Sequence, residues 1–598
     1  MKRKRIKTFY ADFLTELKVT NPSKWYSMAK KIGAVDEMNS GEVIVDELEG
    51  LSNLEGAERI AQHFSSVSNE YPPIDLAQLP AYLPATKPEQ VDELSVYKKI
   101  NGLKNTKSTM NIDLPNKLRK EFSVELTPPL TDIINSSLSQ FIYPKIWKHE
   151  WITPAPKVTC PKLIKDLRKI SSTSDFSKVF ESFLRDWILE DICKNIDPGQ
   201  FGSLKGTGTE HMLVFLVDRI LKLLETVDSA VVVAALVDWS AAFDRQDPTI
   251  GIQRFIQMGV RPSLVPILVS YLSDRKMTVK FNGEVSNEYA LIGGGPQGTL
   301  LGGLEYLVQS NENAECVEPE DRYKFVDDLS VLEIISVAGL LQQYNYLEHV
   351  PSDVGTDQLF LPSTEYKTQQ NLNSISQWTD VSKMKLNTDK SNYMMFTRTD
   401  YDFATRLTVN GVKLDQLPEA KVLGVWLTED LTWSKNTKEI CKNAYSRISM
   451  ITKLKYVGVS IEDLLDIYVL FIRSLLEYCC VLWHSNLTNE NQNDLERVQR
   501  TCLKIILGDM YVSYAAALEM TNLKTLGARR EDRCADFAKK CLKNPRLSHY
   551  FPTNPTRSPK VRKTEKFVVN FAKTKTYRMS SVPYLQRKLN LLYQQKKI

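Results

Sequence analysis

The chain lacks any pair of cysteines at C-x-x-C spacing: its nine are scattered, and only Cys479 and Cys480 are adjacent. This argues against a zinc site or a disulfide framework and reads as buried thiols in a reducing, intracellular compartment, nucleus or cytoplasm. Long apolar runs are also missing. The longest, "AVVVAALV" at 230–237, falls far short of the ~18 residues a membrane span needs, so no membrane partner is expected. The basic opening "MKRKRIK" leads into "TFYADFLTEL" rather than an apolar stretch with a small-residue cleavage site. That argues against a secretory signal and leaves a nucleic-acid-binding arm, an import signal or a solvated terminus. No internal repeat is visible. Charge is not one-sided either: a net +5 predicts no partner by itself, although residues 551–598 carry twelve Lys or Arg against one acidic residue, Glu565. Such a tail suits contact with phosphates or simple solubility.

What is present is an ordinary globular composition, 42% hydrophobic and 25% charged over 598 residues. That length accommodates roughly three or four domains. Residues 1–66 read as helical. In "YPPIDLAQLPAYLPATKPEQ", 71–90, five prolines in twenty residues preclude a continuous helix and predict an extended linker. A helix is expected over 91–104, and another in "LTPPLTDIINSSLSQFIYPKIWK", entered after Pro129 and ended near Pro144.

From about 146 to 430 strands and helices alternate, an α+β pattern on a small sheet. "AVVVAALVDW" reads as a buried strand, "KMTVKFNGEVSNEYALIG" as a hairpin turning at Asn282-Gly283, and "KFVDDLSVLEII" and "KSNYMMFT" as short strands. Beyond 430 the chain is helical. "SIEDLLDIYVLFIRSLLEY" opens on a cap at Ser460, and "NDLERVQRTCLKIILG" carries an apolar stripe ending at Gly508.

The chemistry concentrates in three places. In "LVDWSAAFD" a buried strand runs into Asp238, which alone serves equally as a helix cap or a site residue. "YKFVDDLSVL" sets Asp327 and Asp328 after an aromatic-apolar pair. Were the two strands neighbours, three carboxylates would converge, and their repulsion would demand cations. Oxygen-only ligands favour Mg²⁺ or Mn²⁺, and two such ions support in-line nucleotidyl transfer. Between the two strands, "GGGPQGTLLG" is a glycine-rich turn in which Gly295, Gly298 and Gly302 allow close backbone approach, or merely a tight connection.

In this order the segments resemble the reverse transcriptases of non-LTR (LINE-type, jockey-like) retrotransposons. "VDWSAAFDRQDP" is similar to motif A, "GGGPQGTLLGGLEYLV" to motif B, "YKFVDDLSVL" to motif C, "MKLNTDKSNYMMFT" to motif D and "KVLGVWLTEDLTW" to motif E. "PKIWKHEWITPAPK" and "LRKISSTSDFSKVFE" resemble the finger motifs, and "QFGSLKGTGTEHML" the segment after them. "SLLEYCCVLWHSNLT", "LERVQRTCLKIILG" and "SSVPYLQRKLN" resemble the thumb and C-terminal region. The resemblance implies a right-hand polymerase fold. Its divisions would be a helical N-terminal region and linker over 1–90, a helical extension of the fingers over 91–145, fingers and palm over 146–428, a helical thumb over 429–510 and a helical, basic C-terminal region over 511–598.

It further implies RNA-directed DNA synthesis from an RNA template, a DNA primer and deoxynucleoside triphosphates with two Mg²⁺ (or Mn²⁺). Asp238, Asp327 and Asp328, with the carbonyl of Val237, would hold the metals. Lys390 would protonate the leaving pyrophosphate, or be only a solvated lysine. Arg168, Phe243, Gln297 and Gly298 would meet the nucleotide, with Phe243 as a gate against the ribose 2′-hydroxyl or else a core side chain. Gly295, Pro296, Leu423 and Gly424 would contact primer and template. Three positions depart from the family pattern: Lys169 and Gly303 stand where proline is usual, and Trp239 follows the metal aspartate. Residues 1–90 are too short for the endonuclease that often precedes such polymerases, and neither a Cys/His knuckle nor a ribonuclease H domain is evident. A truncated or domesticated remnant that binds nucleic acid without polymerising is the alternative expectation; an RNA polymerase sharing the palm is disfavoured by Phe243.

Overall fold

The structure is a computed structural model. It describes residues 43–79, 87–103, 114–227, 230–336, 367–398, 402–554 and 565–596, together with 22–33, 358–361 and some of 13–20. The basic opening and parts of the proline-rich and C-terminal basic segments lie outside the described residues.

Two sheets organise the middle of the chain. In the first, β1 (His149–Pro156) pairs antiparallel with β2 (Leu167–Ser172) and parallel with β4 (Arg275–Phe281), whose other partners are β5 (Glu284–Val285) and β6 (Tyr289–Leu291). The β4–β5 turn is the expected Asn282-Gly283, both with positive φ, 47° and 96°, as a two-residue hairpin requires. Helix Asn53–Ser68 starts in a capping box of Ser52 and Glu55. It buries Ala57, Ile60, Ala61 and Phe64 in one cluster with Ile152, Met277, Val279 and Phe281 of the sheet.

The second sheet runs Asp415–Gln416, Asn392–Thr397, β3 (Ala230–Val237), β8 (Asp328–Ser336), β7 (Arg322–Phe325). β3 lies at its centre and is covered on both sides. Val232 and Ala234 join Leu213, Leu216 and Leu221 of helix Thr209–Thr226, whereas Val231, Val233 and Ala235 join Leu372 and Ile375 of helix Lys367–Ser382. Two buried faces leave no position for a polar residue, which accounts for the unbroken apolar run; each buried valine contributes about 1.5–3 kcal/mol.

Helices Glu93–Gly102, Ser123–Gln140, Asp175–Ile192, Pro248–Gln257 and Leu300–Gln309 form a further apolar cluster. After Thr428 the chain is helical: Ser434–Tyr456, Ile461–Ile467 capped by Ser460, Asn489–Leu507, Leu526–Lys543 and Ser581–Gln594. The N-terminal helix Pro22–Gly33 packs against Ser434–Tyr456, with Trp25 only 1% exposed. Mixed helix and sheet thus agree with the α+β expectation. No single helix among the described residues is long and apolar enough to cross a membrane; one pair, Asn489–Met510 and Tyr514–Met520, passes by length and composition only when joined across a 78° bend.

Four details differ from expectation. Helix Ser123–Gln140 contains Pro128 and Pro129 rather than starting after them. Both prolines are exposed, as are Val124 and Glu125 four residues earlier, so the carbonyls they leave unbonded face water. "KFVDDLSVLEII" is not one strand but the β7–β8 hairpin, broken at Val326-Asp327. "SIEDLLDIYVLFIRSLLEY" passes through a π-helical turn, Tyr468–Arg473. Cys160, Cys193 and Cys316 are exposed, the other six cysteines buried, and all nine are free thiols; the three exposed ones fall in loops or at a helix end.

Candidate active site

The site is set by register. β3 and β8 run antiparallel with Val237 opposite Leu329 as their last pair, which puts Asp238 and Asp328 across from each other just beyond it. Asp327 occupies the β7–β8 turn, where Phe325 pairs with Asp328. The expected convergence of strand ends therefore occurs. Val237, Asp238, Asp328 and Lys390 line one cleft of about 590 Å³.

Asp327 and Asp328 keep an open face to solvent, while protein closes around their carboxyl groups elsewhere. Loss of water is the largest influence on each: it raises Asp327 despite Arg168, and with Asp327 and Asp238 nearby it brings Asp328 up to about 6. Burial raises Asp238 too, with Lys390 opposing and Asp327 adding to the shift. The donor set is all oxygen and gathers negative charge where water is scarce, so its chemistry fits a hard divalent ion. Among the described residues no three such side chains are drawn tightly enough to form a finished cage.

Asp238 is held from behind by the "MKLNTDKS" segment. Asn387 donates its side-chain amide to Asp238 Oδ2 and its backbone N–H to the Asp238 carbonyl, each at 2.9 Å, and Ser391 Oγ accepts from Asp238 N at 3.0 Å. Trp239 is buried and packs edge-on against Trp378, centroids 5.6 Å apart. Its bulk therefore fills the core rather than the site.

The Asp327 turn has an unusual support. Val326, a β-branched residue, sits at φ 57°, a conformation that needs outside help. The segment 199–202 supplies it: Phe201 N donates to Lys324 O at 2.8 Å and Lys324 N to Gly199 O at 2.9 Å. A Cβ on Gly202 would strike the Val326 backbone nitrogen and fall 2.8 Å from its Cγ2. Gly202→Ala should therefore displace the turn and cost about 1–3 kcal/mol, read as a lower urea midpoint; an unchanged midpoint would count against this support.

The glycine loop docks onto the segment after Asp238. Gly294 N donates to Gln246 O at 2.9 Å and Gly295 N to Phe243 O at 2.8 Å, while Gly293 N reaches Ser68 O at 3.0 Å. Gly298, at φ 120°, leaves no room for a Cβ, which would sit 2.7 Å from Ser171 O of β2. Gln297 O accepts from Ser171 N at 2.8 Å, and its side chain reaches Asp244 at 3.4 Å. Gln297 is half-buried and Gly298 exposed, but Gly295 and Pro296 are buried. The latter pair can shape the loop from beneath; they present no open surface to a ligand.

Phe243 is half-buried and stacks on Tyr306, centroids 4.8 Å apart. Tyr306 is fully buried, its hydroxyl has no hydrogen-bond partner among the described residues, and burial together with Asp327, Asp328 and Asp238 drives its ionisation well above the usual range. Arg168 is exposed on β2 and close enough to Asp327 to lower its pKa. Its neighbour Lys169 is buried, with Nζ 3.8 Å from Asp244 Oδ1, and also offsets the buried Glu150. A lysine replaces the usual proline at no loss of compensation. Leu423 and Gly424, φ 45° and 86°, form the tip of the Glu419–Val422/Val425–Thr428 hairpin, whose base lines the same cleft.

Sequence reasoning missed the supports: Asn387, Ser391, Gly202, Tyr306, Asp197 beneath β7, and Glu181, whose buried carboxylate accepts from Leu300 N at 2.9 Å and so caps the helix after the glycine loop. Only the i,i+4 run from Asn387 to Ser391 beside the expected motif D lysine offered a local hint.

No protein-family profile matches the chain. It is similar to the probable RNA-directed DNA polymerase from transposon BS of Drosophila melanogaster, 25% identical over 429 residues, 70% of this chain and 45% of that protein. The counterpart from transposon X-element of the same species is 26% identical over 368 residues, 59% and 37%, and that from mobile element jockey 25% over 337 residues, 54% and 33%. The chain spans less than half the length of these curated relatives. The likeness to reverse transcriptases of jockey-like non-LTR retrotransposons read from the motifs is thus shared, over more than half of the chain, by curated RNA-directed DNA polymerases of Drosophila mobile elements.

Proposed function

We propose that the chain is an RNA-directed DNA polymerase that extends a DNA primer on an RNA template. The observation that carries this reading is the β3–β8 register, which sets Asp238, Asp327 and Asp328 together at one end of the sheet beside the cleft that Lys390 lines. In this reading the first sheet and its helices act as fingers, the second as palm and the helices after Thr428 as thumb.

Asp238, Asp327, Asp328 and the Val237 carbonyl would hold two Mg²⁺, or Mn²⁺. When bound, these ions supply charge neutralisation for the attacking primer 3′-hydroxyl and the departing pyrophosphate. The protein's own part is largely positioning. Asn387 and Ser391 fix Asp238, so the carboxylate needs no reorganisation when substrate arrives. Arg168, exposed and without a carboxylate partner within salt-bridge distance among the described residues, presents its guanidinium fork to triphosphate oxygens. Gln297 and Gly298 offer a close backbone approach to the base pair. Gly295 and Pro296 hold that loop in shape, and the Leu423–Gly424 tip meets the primer. Lys390, exposed at the cleft rim, delivers a proton to the pyrophosphate.

The test is primer extension with poly(rA)/oligo(dT), dTTP and Mg²⁺. Extension supports the reading; duplex binding with no incorporation at any Mg²⁺ or Mn²⁺ concentration would replace it with the nucleic-acid-binding remnant.

Phe243 is held flat by Tyr306, so its ring is a fixed wall rather than a mobile side chain. Phe243→Ala should relax the preference for dTTP over UTP by about ten- to a hundredfold, the range one to three kcal/mol of lost exclusion allows. Equal kcat/KM ratios in the two proteins would remove Phe243 from the role of gate.

A further inference from the structure

Behind the Leu423–Gly424 tip lies a second cleft, of about 440 Å³, lined by Arg473, Arg529, Arg533, Glu477, Tyr478 and the start of helix Thr209–Thr226. Its charges do not balance. Glu477, 5% exposed, takes Arg529 through Nε and Nη2, the latter at 3.0 Å, and lies 4.0 Å from Arg533 Nη1. Glu210, the other carboxylate, accepts from Val481 N at 3.3 Å, and its burial raises its pKa. Arg473 is half-buried with no ion pair among the described residues; burial first, and then Arg529, pull its pKa down, and the nearby charge of Glu477, already engaged by Arg529, does not make this good. A half-buried guanidinium repelled by another calls for an anion.

Two further features point the same way. Helix Thr209–Thr226 begins at Gly208 without any side-chain cap, and Thr209 and Glu210 of its first turn line the cleft. Arg473 closes the π-helical turn Tyr468–Arg473, and such turns are frequent at functional sites. Tyr478 ties the cleft to the hairpin tip: its hydroxyl donates to Leu423 O at 2.7 Å, and its ring lies so close over Gly424 that a Cβ there would be 3.2 Å from Cε1.

We propose that this cleft is a phosphate site that holds one backbone phosphate of a nucleic-acid strand passing the Leu423–Gly424 tip. Arg473 and Arg533 supply the charge, Glu477 positions Arg529, and a dianionic free phosphate is the other source of the same chemistry. The inference rests on the nucleic-acid substrate of the proposed function but not on catalysis.

The test uses the full chain and a fluorescent RNA–DNA duplex in chelator, with affinity measured by anisotropy across salt concentrations. Arg473→Gln/Arg533→Gln should weaken binding about tenfold near 0.1 M salt and lower the slope of log K against log salt by about one. Arg473→Lys/Arg533→Lys should keep most of that slope, which separates lost charge from lost folding. Wild-type affinity and slope in the Gln variant would overturn the site. Pyrophosphate alone, titrated calorimetrically, divides the sources: heat abolished in the Gln variant with an unchanged duplex slope assigns the cleft to free phosphate and overturns the backbone assignment, whereas a lowered slope supports it whether or not pyrophosphate binds. A chain that binds the duplex with the expected slope yet extends no primer leaves this site standing and strikes only the polymerase reading.

Discussion

Asp327→Asn is expected to lower primer extension by about a thousandfold or more while leaving the melting temperature unchanged or slightly raised. The two halves of this outcome have one cause. Asp327 sits in an exposed two-residue turn, and its charge opposes those of Asp328 and Asp238 in a place already short of water. A neutral amide of the same shape relieves that repulsion, so folding loses nothing. Asp328, held near 6 by burial and then by Asp327 and Asp238, should titrate closer to the ordinary carboxylate range. Catalysis suffers because a carboxylate proposed to hold both cations is gone, and losing on the order of 4 kcal/mol of transition-state stabilisation corresponds to about a thousandfold. Single-nucleotide incorporation and a thermal melt on the same preparation decide it. Extension within tenfold of the wild type would sink the assignment of Asp327; a large fall in melting temperature would mean that the turn, not the charge, was disrupted.

The contrast between what could and could not be read in advance follows from the range of the forces involved. β3 was legible because burial on two faces writes itself as eight consecutive apolar residues, and the Asn282-Gly283 turn because positive φ at both positions selects those residue types. The Asp238 and Asp327-Asp328 site was legible because carboxylates at the ends of apolar strands are costly without a purpose. The β7–β8 turn was not. Val326, at the positive-φ position, has none of the chemistry that such a turn position selects, and it stands because Gly199–Gly202 presses on it from more than 120 residues earlier in the chain. Pro128 and Pro129 misled for a related reason: the rule against proline in a helix concerns unsatisfied carbonyls, and here those carbonyls face water. The arginine cleft gathers side chains from 473 to 533 around a helix end at 209, and no local pattern marks it.

Asp197→Asn should be the most destabilising polar substitution near the site, at about 3–5 kcal/mol. Asp197 is 5% exposed and serves two buried cations at once. Arg322 Nε lies 3.0 Å from both of its carboxylate oxygens, and Lys324 Nζ is 2.5 Å from Oδ2. Gly199 N donates to it at 2.9 Å, and Arg546 grips its backbone carbonyl at 2.7 Å, so β7, the 199–202 support and the C-terminal region meet at this one residue. Burial would raise the Asp197 carboxyl, but Lys324 and Arg322 outweigh it and hold the value below the usual range. Burial also brings Lys324 down to about 8 even with Asp197 beside it. Without that carboxylate the Lys324 ammonium keeps only the carbonyls of Asn311 and Ser310 and the weaker pull of Glu315, so its folded-state pKa falls further, while the unfolded value stays near the ordinary 10.5. Between those two values the unfolded chain binds a proton that the folded chain does not, so stability rises with pH. The variant should therefore regain stability from near neutrality upward, whereas the wild type gains from this lysine only above about pH 8. Urea midpoints from pH 6.5 to 10, taken as an order-of-magnitude window around these values, read the difference directly. Asp197→Asn/Lys324→Met should recover more than half of the loss, because the orphaned charge is removed along with its partner and Arg322 keeps the carbonyls of Ala314, Glu315 and Val317. A loss below about 1 kcal/mol, or one that does not change with pH, would mean that the pair behaves as a surface salt bridge and that the Asp327 turn takes its stiffness from elsewhere.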